Sequence, residues 1–338
     1  MLVDSFGRVA TDLRISLTDR CSLRCTYCMP AEGLQWLSKT ERLADAEILR
    51  LAGVFVAAGV RSIRLTGGEP LVHPTLAAVI ADLKRLEPAP EVSLTTNGIT
   101  LERQAAALAE AGLDRINISL DTLDRQHFAA LTRRDRLDDV LRGIEAAAAS
   151  RLRPVKINSV LVRGGNLDEA AGLLEWSLRR GFELRFIEHM PLDADHTWSQ
   201  QEMVRADEIL ELLADQFTFQ ALPREGAAAN APAEEFEVVD GPGADDWAVR
   251  PARFGVIASV TRPFCRDCDR LRLTADGQLR TCLFAHAETD LRGPLRAGAT
   301  DGELAELIAQ AVAGKQAGHG IGEAGFTQPM RTMSAIGG

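Results

Sequence analysis

Three cysteines lie close together near the amino terminus. Cys21, Cys25 and Cys28 fall in the segment CSLRCTYCMP, with three and then two residues between them. Thiolates bind zinc and iron, but a tetrahedral zinc or a fully ligated four-iron cluster needs four ligands. Held by three thiolates, a 4Fe–4S cluster keeps one iron free to bind a small molecule. The spacing predicts such a site; the alternatives are a structural zinc with a distant fourth ligand and cysteines with no shared role.

A second group of three cysteines lies near the carboxyl terminus. Cys265, Cys268 and Cys282 occupy FCRDCDRLRLTADGQLRTC, and His286 follows in CLFAH. Two interpretations are open for this group. The four residues could form a Cys3His zinc site, or the cysteines alone could hold a second cluster with an open iron.

Composition is that of an ordinary soluble protein. The chain has 338 residues, 46% hydrophobic and 25% charged, with a formal net charge of −10. The negative charge argues against nucleic acid or an anionic membrane as the main partner. The longest apolar stretch, 51–60, is too short to span a bilayer, and the amino terminus does not resemble a signal peptide. We therefore expect a cytoplasmic protein, where cysteines more often bind metals than form disulfides.

Strand-like and helical segments alternate over the first two thirds of the chain. The strand-like segments are 12–18, 61–66, 91–96, 114–120, 154–162 and 183–188. Repeated strand–helix units predict an α/β fold with a parallel sheet, here a partial (βα)6 barrel of the TIM type. We expect this barrel over 1–220. The Ala- and Pro-rich 221–235 predicts an exposed connection, and 221–338 predicts an α+β region that carries the second cysteine group, closes the barrel and ends in a mobile tail.

The predicted strands alternate apolar and polar residues. In the first, Leu13, Ile15 and Leu17 share one face while Arg14, Ser16 and Thr18 share the other. The same alternation recurs in the next four strands and puts Arg64 and Lys156 on the polar face. Because the apolar face must pack on the helices, the polar face predicts a wet lumen whose cationic wall binds an anionic small molecule. The alternative is that some of these strands lie at an edge with a solvated face.

Several motifs extend this interpretation. The first trio, with Tyr27 before its last cysteine, resembles the cysteine motif of the radical S-adenosylmethionine (SAM) superfamily. The resemblance extends to GGEP at 67–70, TTNG at 95–98 and NISLD at 117–121, because each of these motifs closes a successive strand. The second trio, RFIEHMP and the terminal Gly-Gly resemble the GTP-cyclising family of molybdenum cofactor biosynthesis within that superfamily.

The resemblance implies a role for each matching residue. Cys21, Cys25 and Cys28 would ligate the SAM-binding 4Fe–4S cluster, and Cys265, Cys268 and Cys282 a second 4Fe–4S cluster that binds substrate. The SAM contacts would be Tyr27, Gly68, Ser119 and Met190. The GTP contacts would be Arg14, Arg64, Thr95, Lys156, Arg270, Leu271 and Arg272, and Gly337 and Gly338 would enter the active site.

The resemblance also implies a reaction and partners. A deoxyadenosyl radical would abstract the 3′ hydrogen of GTP, and the carbon radical would attack C8. The implied partners are GTP, an external flavodoxin- or ferredoxin-like one-electron donor and a downstream cyclic pyranopterin monophosphate synthase, without nucleic acid or membrane; a homodimer is compatible with it. Two other classes of protein share part of this pattern. A radical SAM peptide maturase predicts more cysteines and a peptide-binding extension, and a zinc-stabilised binding module predicts two colourless zinc sites.

Overall fold

A twelve-stranded sheet organises the molecule in the computed structural model, which describes residues 1–223 and 230–337. The strands are β1 (Asp12–Ser16), β2 (Ser62–Thr66), β3 (Glu91–Thr96), β4 (Arg115–Ser119), β5 (Val155–Leu161), β6 (Glu183–Glu188), β7 (Thr218–Ala221), β8 (Glu234–Asp240), β9 (Ala252–Ile257), β10 (Arg270–Leu273), β11 (Gln278–Arg280) and β12 (Thr289–Asp290). The helices are α1 (Asp45–Ala57), α2 (Leu76–Leu83), α3 (Ala105–Glu110), α4 (Arg125–Thr132), α5 (Leu137–Ala149), α6 (Ala170–Arg180), α7 (Ala206–Ala214), α8 (Arg292–Arg296), α9 (Asp301–Ala313) and α10 (Met333–Ile336).

The centre of the sheet is parallel, as predicted. Strands follow the order β12-β11-β10-β1-β2-β3-β4-β5-β6-β9-β8-β7. All neighbours from β10 through β1–β6 to β9 pair in parallel, while β11, β12, β7 and β8 add antiparallel edges. The α/β fold and the six predicted strands are therefore confirmed. The sequence did not predict that the carboxyl-terminal part of the chain adds one parallel strand, β9 or β10, to each side of these six.

The predicted apolar strand faces form the core. Leu13, Ile15, Ile63 and Leu65 are fully buried, and the corresponding residues of β3, β4 and β5 are buried with them. They pack with the apolar faces of the surrounding helices in one continuous core. The helices therefore cover the outside of the sheet, and the alternate side chains are left to face its concave side.

The second half of the chain shows two departures from expectation. The connection predicted over 221–235 overlaps strands at both ends, since β7 includes Ala221 and β8 begins at Glu234; residues 224–229 lie outside the described residues. Contrary to the predicted mobile tail, the described part of the tail packs against the rest of the protein. Ile336 is buried with Leu192 and Phe284 in a small second core. Within the described ranges, every helix is too short or too polar to cross a membrane.

Candidate active site

Both cysteine groups line one cavity on the concave side of the sheet. The cavity has a volume of about 330 Å³. Side chains from all eight parallel strands reach it: Arg14, Arg64, Thr95, Ser119, Asn158, Arg185, Ile257 and Arg272. The predicted SAM-side residues Tyr27, Gly68 and Met190 line it as well. A chamber that is lined from all eight parallel strands and holds both cysteine groups is suited to bind two reactants side by side.

The first trio occupies the loop after β1, at the carboxyl end of the parallel strands. Cys21 Sγ accepts the backbone N–H of Leu23 at 3.4 Å and lies 3.8 Å from the amide nitrogen of Asn97. Burial raises the pKa of Cys21 to about 11 and that of Cys28 to about 12. Thiolates in such a place need a cation beside them, and iron provides it. Three thiols of one loop whose charges interact, with N–H donors aimed at one of them, would fit an iron–sulfur cluster.

A buried carboxylate ties this loop to the sheet. The hydroxyl of Tyr27 donates to Asp121 Oδ2 at 2.5 Å, while Asp121 Oδ1 accepts the backbone N–H of Val160 at 2.8 Å. Burial raises the pKa of Asp121 to about 6. The aromatic residue of the cysteine motif is thus fixed to the ends of β4 and β5. The sequence pointed to Tyr27 but not to its partner.

The glycine motif after β2 passes directly against the chain that leads into the first trio. The backbone N–H groups of Gly68 and Glu69 bond the carbonyls of Thr18 and Arg20 at 2.7 and 2.8 Å. A Cβ at Gly68 would collide with the carbonyl oxygens of Asp19 and Arg20, so only glycine allows this approach. The close backbone contact fixes the motif beside the cysteine loop.

Glu69 joins this motif to the next one. It is buried, and its carboxylate accepts the hydroxyl of Thr96 at 2.6 Å and the backbone N–H groups of Asn97 and Leu71 at 2.7 and 2.9 Å. Burial raises the pKa of Glu69 to about 7 despite these three donors. The loops after β2 and β3 therefore form one hydrogen-bonded unit.

The second trio lies at the other end of the same strands. Cys265 and Cys268 precede β10, whose Arg270 pairs with Asp12 at the amino end of β1. Cys282 follows β11, which runs back antiparallel to β10. At about 3.3 Å per residue, the five residues of β1 separate the two trios by roughly 16 Å. A molecule in the chamber can therefore face both groups at once.

Among the described residues, His286 and the second trio are not gathered into one zinc-like ligand set. In the described part of the chain, no three Cys, His, Asp or Glu side chains converge closely enough to hold one metal ion. His286 instead contacts the hydroxyl of Thr327 at 3.3 Å. One tetrahedral zinc would bring its sulfurs to about 3.8 Å from one another. In a cluster each thiolate binds a different iron, so the sulfurs lie farther apart. Burial raises the pKa of Cys265, and neighbouring Cys282 and Cys268 raise it further. Sulfurs at a wider spacing than one zinc ion allows would suit a cluster, as at the first trio.

Arginines form the wall between the two trios. Arg14 pairs in register with Arg64 on one side and Arg272 on the other. Burial, together with the neighbouring Arg64, lowers the pKa of Arg14 to about 9; burial lowers the pKa of Arg64 to about 10. The Nε atoms of both are buried without a hydrogen-bond partner. Adjacent buried guanidinium groups with unused donors need an anion, and a polyphosphate offers several oxygens to them.

Not every predicted contact lies in this chamber. Lys156 pairs with Glu183 at 2.6 Å and lines an adjoining cavity of about 150 Å³, which shares Arg185 with the main one. The side chain of Leu271 is fully buried behind the sheet, so that only its backbone is available to a ligand. Gly338 lies outside the described residues.

Sequence reasoning missed several residues of the chamber. Arg185 lies between buried Leu184 and Phe186 of β6, so the alternation rule used for the other strands would have found it. Asn97 and His189 also line the chamber. They belong to the motifs TTNG and RFIEHMP, but neither residue was itself predicted to be in the site.

The tail ends against the arginine wall. Arg331 bonds both carboxylate oxygens of Asp276, at 3.0 and 2.8 Å, and the guanidinium of Arg272 donates to the carbonyl of Gly337. Gly337 has φ +90°, and a Cβ there would lie 2.5 Å from Thr66 Oγ1 and 3.2 Å from Ser16 Cβ. Only glycine fits between these strands in this conformation.

Comparison with known proteins agrees with this geometry. The family model described as "Radical SAM superfamily" matches residues 15–177, and "Molybdenum Cofactor Synthesis C" matches residues 182–321. The chain is 56% identical over 339 residues to a Streptomyces coelicolor protein named GTP 3′,8-cyclase, covering 100% of this chain and 96% of that protein. A Mycolicibacterium smegmatis protein of the same name is 53% identical over 338 residues, covering 100% and 92%.

A solved structure supports the fold alone. SuiB of Streptococcus suis, crystallised with S-adenosylmethionine, superimposes with a TM-score of 0.59 at 13% identity, covering 83% of this chain and 63% of SuiB. More than half of the residues are identical to those of the named relatives over the full length of the chain, and this identity establishes the family. The chain belongs to the GTP 3′,8-cyclase family of radical SAM enzymes.

Proposed function

We propose that this chain converts GTP to (8S)-3′,8-cyclo-7,8-dihydroguanosine 5′-triphosphate, the first step of molybdenum cofactor biosynthesis. The observation that carries the proposal is the single chamber, with a cysteine trio at each end and arginines between them. When bound, the first cluster, reduced by one electron from the external donor, would cleave SAM to methionine and a 5′-deoxyadenosyl radical able to take the hydrogen atom from C3′ of the ribose. The new C3′–C8 bond, one electron from an external donor and one proton then give a product with the mass of GTP.

Residues of the chain would orient both reactants. Tyr27, Gly68, Ser119 and Met190 line the end of the chamber near the first trio and are proposed to hold SAM there. Arg14, Arg64, Arg270 and Arg272 are proposed to hold the triphosphate, with Thr95 beside the sugar and Lys156 reached through the adjoining cavity. Leu271 would contribute only backbone. Holding reacting atoms in near-attack geometry supplies much of the rate enhancement in such a step.

The second trio would hold a 4Fe–4S cluster whose open iron binds the guanine base. It would lie roughly 16 Å along β1 from the first trio. We propose that residues 1–220 form the radical-generating barrel and that 221–338 supply the substrate cluster and the tail. Gly337, with Gly338 beyond it, would complete the chamber by shielding the radical from competing C–H bonds.

Partners follow from this chemistry. The reaction needs a one-electron donor, for which a flavodoxin- or ferredoxin-like protein is suited, and the product would pass to cyclic pyranopterin monophosphate synthase. The proposed reaction is compatible with a homodimer of this chain.

Anaerobic turnover tests the function. Reconstituted protein is incubated with SAM, GTP and dithionite, and the products are analysed by mass spectrometry. The expected products are 5′-deoxyadenosine and a nucleotide isomer of unchanged GTP mass. Cys265→Ser is the matched control: it retains the first trio, so it should still release deoxyadenosine from SAM but lose the isomer. If wild type cleaves SAM and leaves GTP unchanged, the proposal is wrong.

A further inference from the structure

A buried lysine contacts a cysteine of the second trio. Lys315 lies just beyond α9 and is 4% exposed. Its ammonium donates to the carbonyls of Cys268 and Arg270 at 2.8 and 3.0 Å and lies 3.6 Å from Cys268 Sγ. All three acceptors belong to the short segment that leads from the second trio into β10. Lys315 therefore holds this segment from behind.

Within the described residues, no carboxylate forms an ion pair with this ammonium. Among the described residues, the ion pairs of buried or half-buried lysines are Lys84 with Asp114 at 2.8 Å and Lys156 with Glu183 at 2.6 Å, and none involves Lys315. Burying an unpaired ammonium costs several kcal/mol, and carbonyl groups compensate only in part. Of its three acceptors, only Cys268 Sγ can carry a full negative charge.

A neighbouring cation differs in this respect. Arg8 donates to the carbonyl of Cys265 at 2.6 Å, so it too holds the second trio. Its guanidinium is paired with the buried carboxylate of Asp4 at 2.6 Å. The charge of Arg8 is thereby balanced within the protein, whereas that of Lys315 is directed at the cysteine sulfur.

We propose that Lys315 is a positioning residue of the second cluster that also raises its reduction potential. The proposal rests on the second trio holding a cluster, as proposed above. Three thiolates give a 4Fe–4S cluster a net negative charge, which grows on reduction. A nearby ammonium with an N–H···S contact stabilises the reduced form more than the oxidised form. The same contact holds Cys268 in place for ligation.

The potential of the second cluster tests this role directly. Protein in which Cys21, Cys25 and Cys28 are replaced by serine is reconstituted so that only the second cluster gives a signal. A redox titration followed by electron paramagnetic resonance compares this protein, which keeps Lys315, with its Lys315→Met and Lys315→Arg variants. We expect Lys315→Met to shift the midpoint to lower potential and Lys315→Arg to stay near wild type. Lys84→Met is the matched control, because it removes a lysine that bonds a carbonyl and a carboxylate far from the trio.

Iron retention gives an independent measurement. Loss of a residue that supports a metal ligand typically costs about 10- to 100-fold in metal affinity. Lys315→Met should therefore lose iron from the second site to a chelator about 10- to 100-fold faster, with Lys84→Met unchanged. If Lys315→Met does not fold, Lys315→Gln removes the same charge and is measured instead.

The outcomes separate the two proposals. An unchanged potential and iron retention in Lys315→Met, or equal losses in Lys84→Met, overturns the role of Lys315 while leaving the cluster intact. A wild-type protein that binds no iron at the second trio overturns the proposed function, and the lysine proposal with it.

Discussion

The conformation of Gly337 makes the tail testable by a single methyl group. An alanine there would keep φ near +90° at a cost of about 1–3 kcal/mol, and its Cβ would overlap Thr66 Oγ1 at 2.5 Å. The strain alone lowers the docked population roughly 5- to 150-fold, and the overlap lowers it further. We expect Gly337→Ala to reduce formation of the cyclised nucleotide at least tenfold, because the carbonyl of Gly337 no longer meets Arg272.

The assay separates the tail from the rest of the enzyme. Deoxyadenosine released from SAM without GTP should fall less than cyclisation in Gly337→Ala, since the three cysteines are unchanged and only the contact of Ser334 with Cys28 is loosened. Gly325→Ala is the matched control: Gly325 lies in the same tail with φ +94°, but a Cβ there meets nothing within 4 Å. Wild-type cyclisation in Gly337→Ala, or an equal loss in Gly325→Ala, would refute the reasoning.

Three further changes test the chamber and its supports. Arg64→Leu removes a charged hydrogen-bond donor worth about 1.5–3 kcal/mol, so KM for GTP should rise roughly 10- to 150-fold while SAM cleavage persists. The carboxylate of Glu188 accepts four hydrogen bonds, from the N–H groups of Ala206, Val260 and Thr261 and from the Thr261 hydroxyl. The amide in Glu188→Gln has one acceptor oxygen instead of two, so the substitution should lower the unfolding free energy by about 1–3 kcal/mol in thermal melts. The pKa of Glu69 is raised from 4.5 to about 7, so its contribution to stability is present below pH 4.5 and is lost as pH rises through 7. The unfolding free energy of wild type relative to Glu69→Gln should accordingly fall by up to about 3 kcal/mol between pH 5 and 8 in denaturant titrations, and no pH dependence would contradict the buried, proton-binding carboxyl.

Strand alternation carried most of the sequence-based prediction. Buried Leu13 and Ile15 alternate with Arg14 and Ser16, and the same period of two in the next strands correctly gave the parallel sheet and the face of it that lines the cavity. This succeeds because a strand must send successive side chains to opposite faces. The same rule places Arg185 of β6 on the cavity side, since its neighbours Leu184 and Phe186 are buried.

Contacts between residues that are far apart in the chain could not be predicted from the sequence. No local pattern indicates that β10 pairs with β1 across more than 250 residues, or that Lys315 reaches Cys268. Lys156 shows a second limit. The alternation assigned it to the correct face, but its position at the start of β5, beside Glu183, brings it to the adjoining cavity. Depth along a strand depends on the stagger of neighbouring strands, and this is a property of the whole sheet.

The central claim is that one chamber brings the source of the radical to the ribose of GTP. Turnover with GTP carrying deuterium at C3′ tests it most directly. Because the hydrogen atom would pass from C3′ straight to the 5′ carbon of the deoxyadenosyl group, the recovered 5′-deoxyadenosine should gain one mass unit. Deoxyadenosine without deuterium, formed alongside cyclised product, would contradict the account.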